Sequence, residues 1–279
     1  MDTAERARSA RVVAVFDRVA DTYDNVGVPW FTPIAQRLIR ELAPRPGERA
    51  LDVGCGRGAG LLPLAEAVGP TGSVTGIDLA PRMVEATRAE VARRGLAQVD
   101  VRLMDALAPD LPAGGYDLVA SSLVVFFLPD PAAALRAWRE LLVPGGRLGL
   151  ATFGDRDPRW EELDEIFRPY LPPQLLDART SGAAGPFASD AGVEELATAA
   201  GYAGVRTAGI DIEAVFTDPD HWHAFSMSHG QRAFWDAVPE SERATVRAAT
   251  TDFVRGLRGD DGTIRLAQRV RYTLAERPA

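Results

Sequence analysis

The sequence has no lysine, one cysteine and three histidines among its 279 residues, and it has no long apolar run. Because Cys55 is the only cysteine, no disulfide can form within the chain, which suits a reducing compartment. The longest early apolar run, Val12 to Phe16, is too short for a signal peptide, and no segment has the length of a membrane span. These absences predict a cytoplasmic protein that does not enter the membrane.

Arginine therefore supplies all 31 basic residues, against 39 acidic ones, and the net charge is −8. Nucleic-acid binding needs a basic face, so this balance disfavours a nucleic-acid partner. The length suits one large α/β domain with insertions or a small cap.

Strand and helix patterns alternate after two N-terminal helices, of which the first is expected over Ser9 to Tyr23. Such alternation predicts a parallel sheet with helices on both faces. The expected elements are strands at 50–53, 73–77, 99–103, 116–120, 146–152, 205–215 and 263–273, and helices at 60–68, 81–94, 131–142, 160–170 and 189–200, with a mainly helical segment at 221–259.

The same pattern divides the chain into three parts. Residues 1–46 are expected to form N-terminal lid helices, and residues 47–153 a Rossmann-like core. Residues 154–279 are expected to complete the core and to carry two substrate-capping insertions, at about 155–188 and 216–260.

The segment LDVGCGRGAG, residues 51–60, is the most informative part of the sequence. Glycine recurs at every second position from Gly54 to Gly60, between an apolar strand and a helix. Glycines there let a ligand approach bare backbone, and the helix N-terminus offers free N–H groups. This pattern indicates a site for a nucleotide-type cofactor.

Two cofactor classes compete for this loop. Gly54, Gly56 and Ala59 satisfy the dinucleotide pattern G-x-G-x-x-G/A, and Asp78 lies at about the distance expected of a ribose-binding acid. Asp52 argues against a dinucleotide, because its carboxylate repels a pyrophosphate and attracts the ammonium and sulfonium groups of S-adenosylmethionine (SAM). Further polar residues, Asp105 and Ser121, follow the third and fourth strands, where open α/β sheets bind ligands.

With these motifs the chain resembles the class I SAM-dependent methyltransferases. It is closest in character to the ubiquinone and menaquinone C-methyltransferases and to small-molecule methyltransferases of bacterial secondary metabolism. The resemblance implies a Rossmann-like, mostly parallel seven-stranded sheet with a partly helical cap. It covers roughly residues 10–153, through FDRVADTYD (16–24), LDVGCGRG (51–58), VTGIDLAPRMVEATR (74–88), RLMDALAPDLP (102–112) and the segment 116–148.

The resemblance also implies the residues that contact SAM, in four groups. The residues expected near the methionine portion are Asp52, Gly54, Cys55 and Gly56, and those near the ribose and adenosine are Asp78, Leu79 and Met83. The adenine is expected at Asp105 and Ala106, and the sulfonium beside Ser121. Tyr23 is expected to fold over the cofactor as part of a lid, with ordinary helix packing of Tyr23 and Phe16 as the alternative.

A catalytic base is harder to place. Some relatives have a histidine pair after the fourth strand, where this chain has Val125, Phe126 and Phe127, which suggests an apolar wall or core residues. The three histidines lie within the second insertion, and three interpretations stay open: packed or solvated lid residues, a general base at His229 or His223, or metal ligands. His229 and His223 are the catalytic candidates, and no metal is expected. The lid aromatics Trp222, Phe225, Phe234 and Trp235 are expected either to line the substrate pocket or to form the lid's own core.

The sequence therefore predicts an enzyme that transfers a methyl group from SAM to an O, N or activated C atom of a small-molecule metabolite. The alternative is a protein of the same fold that binds SAM but catalyses a cyclisation or rearrangement. Its partner is expected to be a small-molecule substrate, with no nucleic acid and no membrane, and its oligomeric state a monomer or homodimer.

Overall fold

The computed structural model describes residues 3–176, 182 and 184–279. In these residues seven strands form one sheet in the order β3-β2-β1-β4-β5-β7-β6. The strands are β1 (Arg49–Val53), β2 (Ser73–Asp78), β3 (Val99–Leu103), β4 (Tyr116–Ser122), β5 (Leu142–Arg156), β6 (Ala203–Phe216) and β7 (Ile264–Glu276).

The sheet is parallel from β3 to β5, and β7 runs antiparallel between β5 and β6. The order changes direction at β1, since β2 lies on one side of it and β4 on the other. Ligands of open α/β sheets bind outside the carboxyl ends of the strands at such a point. The predicted mostly parallel, Rossmann-like sheet is confirmed.

Ten α-helices accompany the described strands, and several begin and end on local signals. α4 covers the predicted residues, because Pro81 lies in its first turn and Gly95 ends it at φ +66°. The helices are α1 (Thr3–Val19), α2 (Phe31–Leu42), α3 (Leu61–Val68), α4 (Pro81–Arg94), α5 (Pro131–Leu141), α6 (Pro158–Phe167), α7 (Asp190–Ala199), α8 (Pro219–Met227), α9 (Arg232–Ala237) and α10 (Glu240–Gly256).

The first helix differs from its prediction at the C-terminal end. α1 ends at Val19, so Tyr23 lies in the turn that follows the helix.

The N-terminus of α7 is capped by Ser189, which immediately precedes the helix. Its side chain accepts a hydrogen bond from Gly192 N–H, so that Ser189 rather than Asp190 is the cap.

One hydrophobic core contains residues of all three predicted parts, from Val28 to Ala275. Trp138 on α5 is fully buried in it, and its Nε1–H donates to the Ala106 carbonyl across 2.7 Å. The division at residues 46 and 153 stays a prediction. Within the first expected insertion, residues 177–181 and 183 lie outside the described part of the chain.

The N-terminal helix lies over the start of α4. Arg82 donates its backbone N–H to Asp17 across 3.0 Å and pairs with Asp21 across 2.6 Å. At the other side, Arg18 pairs with Asp236 of α9 across 2.9 Å. These contacts place α1 between the glycine-rich loop region and the C-terminal helices.

Candidate functional site

Three glycines of the loop after β1 adopt the left-handed backbone that L-residues avoid: φ is +71° at Gly54, +48° at Gly56 and +88° at Gly58. A Cβ at Gly54 would lie 2.3 Å from Cγ2 of Val124, so this glycine makes room for a side chain of the segment after β4. A Cβ at Gly56 would meet no described atom within 4 Å. Gly56, rather than Gly54, therefore presents open backbone to a ligand.

Asp78, at the end of β2, holds this loop in place. Its carboxylate accepts hydrogen bonds of 2.9 Å from the backbone N–H groups of Gly56 and Ala80. On the other side, the Thr87 hydroxyl donates to the Gly56 carbonyl across 2.6 Å. Burial raises the pKa of Asp78, and the two backbone N–H donors oppose that rise.

Asp52 carries a buried carboxylate that lacks a full set of partners. Its side chain is 2% exposed, and its Oδ2 has no hydrogen-bond partner among the described residues. Burial, together with the negative charge of Asp78, raises the pKa of Asp52 to about 7. A Cβ at Gly60 would lie 3.0 Å from Oδ2, so this glycine leaves space beside the carboxylate. The arrangement suits a ligand that brings positive charge.

The other predicted cofactor residues of β2 and β3 lie around the same edge. Leu79 is 37% exposed, whereas Met83 is buried against Val19 beneath α1. One carboxylate oxygen of Asp105 accepts a hydrogen bond of 2.9 Å from Leu107 N–H, and this bond stabilises the turn after β3. Ala106 is buried, and its carbonyl is occupied by Trp138.

Two predicted residues point into the protein instead. Ser121 is fully buried, and its hydroxyl donates to the Val53 carbonyl across 3.1 Å, tying β4 to β1. Cys55 is buried with its Sγ next to Gly76, and burial raises the pKa of its thiol. The structure shows packing roles for both, and a contact of either with a cofactor stays a prediction.

A cavity of about 280 Å³ lies beside the segment after β4, and aromatic rings form much of its wall. Leu123, Phe126 and Phe127 line it, and Val124 of the same segment packs against Gly54. Phe126 is 1% exposed and belongs to the core, yet it reaches the cavity as Phe127 does. Other rings in the wall include Phe16, Tyr23, Phe31, Phe153, Trp160 and Phe225.

Tyr23 contributes to this wall from the turn after α1. Its ring stacks on Phe31 with 4.5 Å between centroids and meets the edge of Phe16 at 6.0 Å. Burial and the charges of Asp24 and Asp78 raise the pKa of the Tyr23 phenol, so it is neutral at pH 7. Tyr23 thus lines the cavity and is close enough to Asp78 to feel its charge, and its role as a lid over the cofactor stays a prediction.

The lid aromatics divide between the two roles that the sequence left open. Phe225 and Phe234 line the cavity. Trp222 and Trp235 are buried in the core, and the Trp235 Nε1–H donates to the Ser226 hydroxyl across 2.9 Å.

A polar group interrupts the apolar wall at the end of β5. Arg156 Nη1 pairs with Asp164 across 2.8 Å, and Gln231 Nε2 donates to the same carboxylate across 3.2 Å. All three residues line the cavity. Burial raises the pKa of Asp164, and the Arg156 guanidinium opposes that rise.

His229 joins this polar group. Its Nδ1 accepts a hydrogen bond of 3.3 Å from Gln231 N–H, and its Nε2 is buried without a partner in the described residues. The ring lies 4.5 Å from Phe225 and 5.6 Å from Phe31, centroid to centroid. Burial lowers the pKa of His229 to about 4, so the imidazole is neutral at pH 7.

The other two histidines are placed away from the cavity wall. His223 packs edge-on against Trp235 at 4.5 Å, and burial lowers its pKa to about 4. It does not line the cavity, since it lies on another face of α8 from Phe225, and its candidacy as a base stays a prediction. His221 Nε2 lies 3.0 Å from the Val26 carbonyl and joins α8 to the loop before α2.

Two contributors to the site were not anticipated. Asp24, at φ +53°, accepts hydrogen bonds from the N–H groups of Trp30, Phe31 and Thr32 and so caps α2 from outside the usual cap position. Arg156 is the last residue of β5. Asp52 and Asp78 were selected because ligands bind at the carboxyl ends of the strands, and the same criterion applied to β5 selects Arg156.

Residues 3–176, 182 and 184–279 contain no group of three or more His, Cys, Asp or Glu side chains arranged to hold a metal ion. In the same residues no helix is both long enough and apolar enough to cross a membrane.

Comparisons with known proteins identify the family. A family model described as a methyltransferase domain matches residues 50–146. Nocamycin O-methyltransferase of Saccharothrix syringae is 40% identical over 247 residues, which are 84% of this chain and 87% of that protein. Aklanonic acid methyltransferase DauC of Streptomyces sp. (strain C5) is 44% identical over 167 residues, which are 60% of this chain and 76% of that protein.

A solved structure of phosphoethanolamine N-methyltransferase 2 of Haemonchus contortus, in complex with S-adenosyl-L-methionine, shares the fold with a TM-score of 0.59. It is 15% identical and covers 94% of this chain and 57% of that one. The glycine loop, the acids at the strand ends and the extended match to nocamycin O-methyltransferase lead to one assignment: the chain belongs to the class I SAM-dependent methyltransferases.

Proposed function

We propose that this methyltransferase transfers the methyl group of SAM to an oxygen atom of a small, largely apolar aromatic metabolite. The observation that carries the proposal is the aromatic cavity, whose lining residue Leu123 precedes the Val124 that packs against Gly54 of the cofactor loop. Oxygen is favoured over nitrogen or carbon because the relative that matches most of the chain is an O-methyltransferase. The name of the second relative, aklanonic acid methyltransferase, supports an acidic small molecule as acceptor.

The residues at the carboxyl ends of β1 and β2 fit SAM. Asp52 offers a desolvated carboxylate with a free oxygen, Gly56 offers open backbone, and Leu79 offers exposed apolar surface. We expect Asp52 to attract the ammonium group, Asp78 to accept from the ribose hydroxyls, and Asp105 and Ala106 to lie at the adenine. When bound, SAM supplies an electrophilic methyl group on a positively charged sulfur.

The chain's own contribution to methyl transfer is alignment and exclusion of water. The ring of Tyr23 stacks on Phe31, and Phe16 meets Phe127 edge to face at 5.6 Å. All four rings line the cavity and form an apolar boundary there, and aromatic faces attract a nearby cation. Holding the two reactants in line within such a boundary provides much of the rate enhancement of a displacement reaction.

The net charge of −8 supports a small-molecule partner and no nucleic acid. We propose a cytoplasmic location and a monomeric or homodimeric state.

Product mass and cofactor turnover test the proposal. The purified protein is incubated with SAM and a panel of aromatic acids, phenols and amines. We expect an acceptor to gain one methyl group with release of one equivalent of S-adenosylhomocysteine. A product with rearranged bonds and no added methyl group would instead establish the cyclisation or rearrangement alternative.

The matched control in this assay is Asp52→Asn. It keeps the shape of the side chain and removes the charge expected to attract SAM, so turnover should fall. Failure of the wild-type protein to bind either SAM or S-adenosylhomocysteine in calorimetry would overturn the proposed function itself.

A further inference from the structure

We propose that the cavity selects an acceptor whose oxygen is already negatively charged, and that His229 and Arg156 donate hydrogen bonds to that acidic group. The inference rests on the proposed function and specifies its substrate class. Two residues of one cavity each have a buried polar nitrogen that lacks a partner in the described structure: Nε2 of His229 and Nε of Arg156. A ligand whose acidic group accepts a hydrogen bond from each would satisfy them.

The hydrogen bonding of His229 makes its ring a donor on the free side. Gln231 N–H donates to Nδ1, so Nδ1 holds a lone pair and the proton of the neutral imidazole lies on Nε2. This Nε2–H is the nitrogen without a described partner. His229 is therefore set up to donate to a ligand and not to remove a proton from one, which differs from the general base expected from the sequence.

Arg156 supplies a second donor and a positive charge. Asp164 engages its Nη1, and the Nε–H of the same guanidinium has no partner among the residues described. A guanidinium presents five N–H donors in a planar fork that matches the two oxygens of a carboxylate. Asp164 accepts from Arg156 and is itself held by Gln231 Nε2–H, so the position of the fork is fixed.

The charge of the cavity agrees with an anionic ligand. Its charged lining residues in the described chain are Arg11, Arg156 and Asp164, so the cavity carries more positive than negative charge. The protein as a whole has a net charge of −8. A cavity with excess positive charge in an acidic protein favours a negatively charged ligand.

The two titratable proton acceptors described in the lining, Asp164 and His229, are already hydrogen-bonded. The Asp164 carboxylate is engaged by Arg156 and Gln231, and the lone pair of His229 is engaged by Gln231 N–H. Methylation of a neutral hydroxyl releases a proton that a base must accept, whereas a carboxylate or the anion of an acidic phenol or enol needs no base. This cavity fits acceptors of the second kind.

The reaction balances without a proton. A lone pair of the anionic oxygen forms the O–CH₃ bond, and the CH₃–S bond breaks with its electron pair retained by sulfur. The anionic acceptor and the sulfonium become a neutral methyl ester or ether and a neutral thioether. No oxidant, reductant or further reactant is required.

Binding of three naphthalene probes tests the inference. Naphthoic acid, dinitronaphthol and naphthamide are titrated at pH 7 into the protein saturated with S-adenosylhomocysteine. We expect at least one of the two anions to bind about tenfold or more tightly than the neutral amide, because hydrogen bonds to charged groups are stronger than those to neutral ones. Tight binding of the acid alone indicates a carboxylate acceptor, and tight binding of dinitronaphthol alone indicates a phenolate or enolate.

Equal binding of the amide and both anions would overturn the inference while leaving the proposed function intact. Failure of S-adenosylhomocysteine to bind at all would instead overturn the proposed function. The two failures are therefore distinguishable in one set of titrations.

Variants of His229 separate a donor from a base. His229→Gln retains an N–H group near the position of Nε2, whereas His229→Phe retains the ring shape and removes the donor. We expect the anion-to-amide binding ratio to survive largely in the Gln variant and to fall about tenfold in the Phe variant. Equal losses in both variants would contradict a donor role, and His223→Phe, outside the cavity, serves as the control.

A double variant tests Arg156 without stranding a buried charge. Arg156→Met combined with Asp164→Asn removes both members of the pair, because loss of one alone leaves the other uncompensated. We expect a similar fall in the anion-to-amide ratio. The matched control is Arg159→Met with Asp157→Asn, an ion pair nearby on the chain that does not line the cavity. An unchanged ratio in the Arg156 and Asp164 double variant would count against the inference.

Discussion

The backbone N–H of Gly56 donates a 2.9 Å hydrogen bond to the carboxylate of Asp78, which lies 22 residues further along the chain. This bond fastens the loop after β1 to the end of β2, and the Thr87 hydroxyl fastens the same glycine from α4. The loop is therefore held in a binding shape by the protein itself. Such preorganisation lowers the cost of ordering the site when a ligand binds.

Removing the charge of Asp52 should weaken cofactor binding. Asp52→Asn keeps the volume of a 2% exposed side chain and removes the negative charge beside Gly60. We expect the Kd for SAM to rise about tenfold or more, since a charge-assisted contact to the cofactor is lost. Calorimetric titration measures this change, and Asp110→Asn at an exposed acid provides the control. An unchanged Kd would place the cation of the cofactor away from Asp52.

Cofactor binding should also depend on pH. Because the pKa of Asp52 in the free protein is raised to about 7, the carboxyl is largely protonated at pH 6 and ionised at pH 8. We expect SAM affinity to increase with pH across this window and to level off above it, with up to about tenfold change per pH unit below the pKa. Titrations in buffers of different ionisation enthalpy should show proton release on binding at pH 6. Asp52→Asn should flatten both effects.

The stability of the cofactor-free protein should decrease as the pH rises, whereas its SAM affinity should increase. The folded-state pKa of Asp52 lies above the unfolded value of about 3.9, so the folded protein retains a proton that the unfolded chain releases. The contribution of this group to the free energy of unfolding is therefore greatest below pH 4 and falls as the pH rises to about 7. Relative to Asp52→Asn, the wild-type Tm should decrease over that range. A wild-type Tm that rises relative to the variant would contradict the raised pKa.

Two glycine substitutions should separate folding from binding. Gly54→Ala adds a Cβ that overlaps Val124 and strains a backbone at φ +71°, so a loss of several degrees in Tm is expected. Gly56→Ala strains its backbone by about 1–2 kcal/mol, but the added Cβ meets no described atom. This variant should therefore fold, but it should bind SAM poorly. Val124→Ala should partly restore the stability of Gly54→Ala, and no restoration would show that the overlap is not the cause.

Asp24 should prove important for the N-terminal part of the site. Asp24→Ala leaves the N–H groups of Trp30, Phe31 and Thr32 without their acceptor, which should cost about 1–2 kcal/mol of stability. Because Tyr23 is adjacent and stacks on Phe31, SAM affinity should fall as well. Thermal unfolding and calorimetry measure the two effects. Asp24→Asn keeps one acceptor oxygen and should show a smaller loss of both.

Local signals determined much of the fold. The sequence placed α4 at Pro81–Arg94 because a proline begins it and a glycine ends it, and the strand at Val99–Leu103 matched its prediction. It was wrong about the end of α1, since the apolar spacing continues past Val19 into a turn that tertiary contacts hold through Arg57 and the Ala20 carbonyl.

The sequence by itself determined the parallel sheet, the cofactor loop and the acids at the strand ends, because each depends on residues close together in the chain. Only the tertiary structure decided that Gly56 is the open glycine, that His229 reaches the cavity and His223 does not, and that Arg156 stands beside Asp164. Hydrophobic periodicity selects the face that an element buries. It carries no information on which distant segment packs against that face, and for a histidine that packing decides which nitrogen keeps its proton.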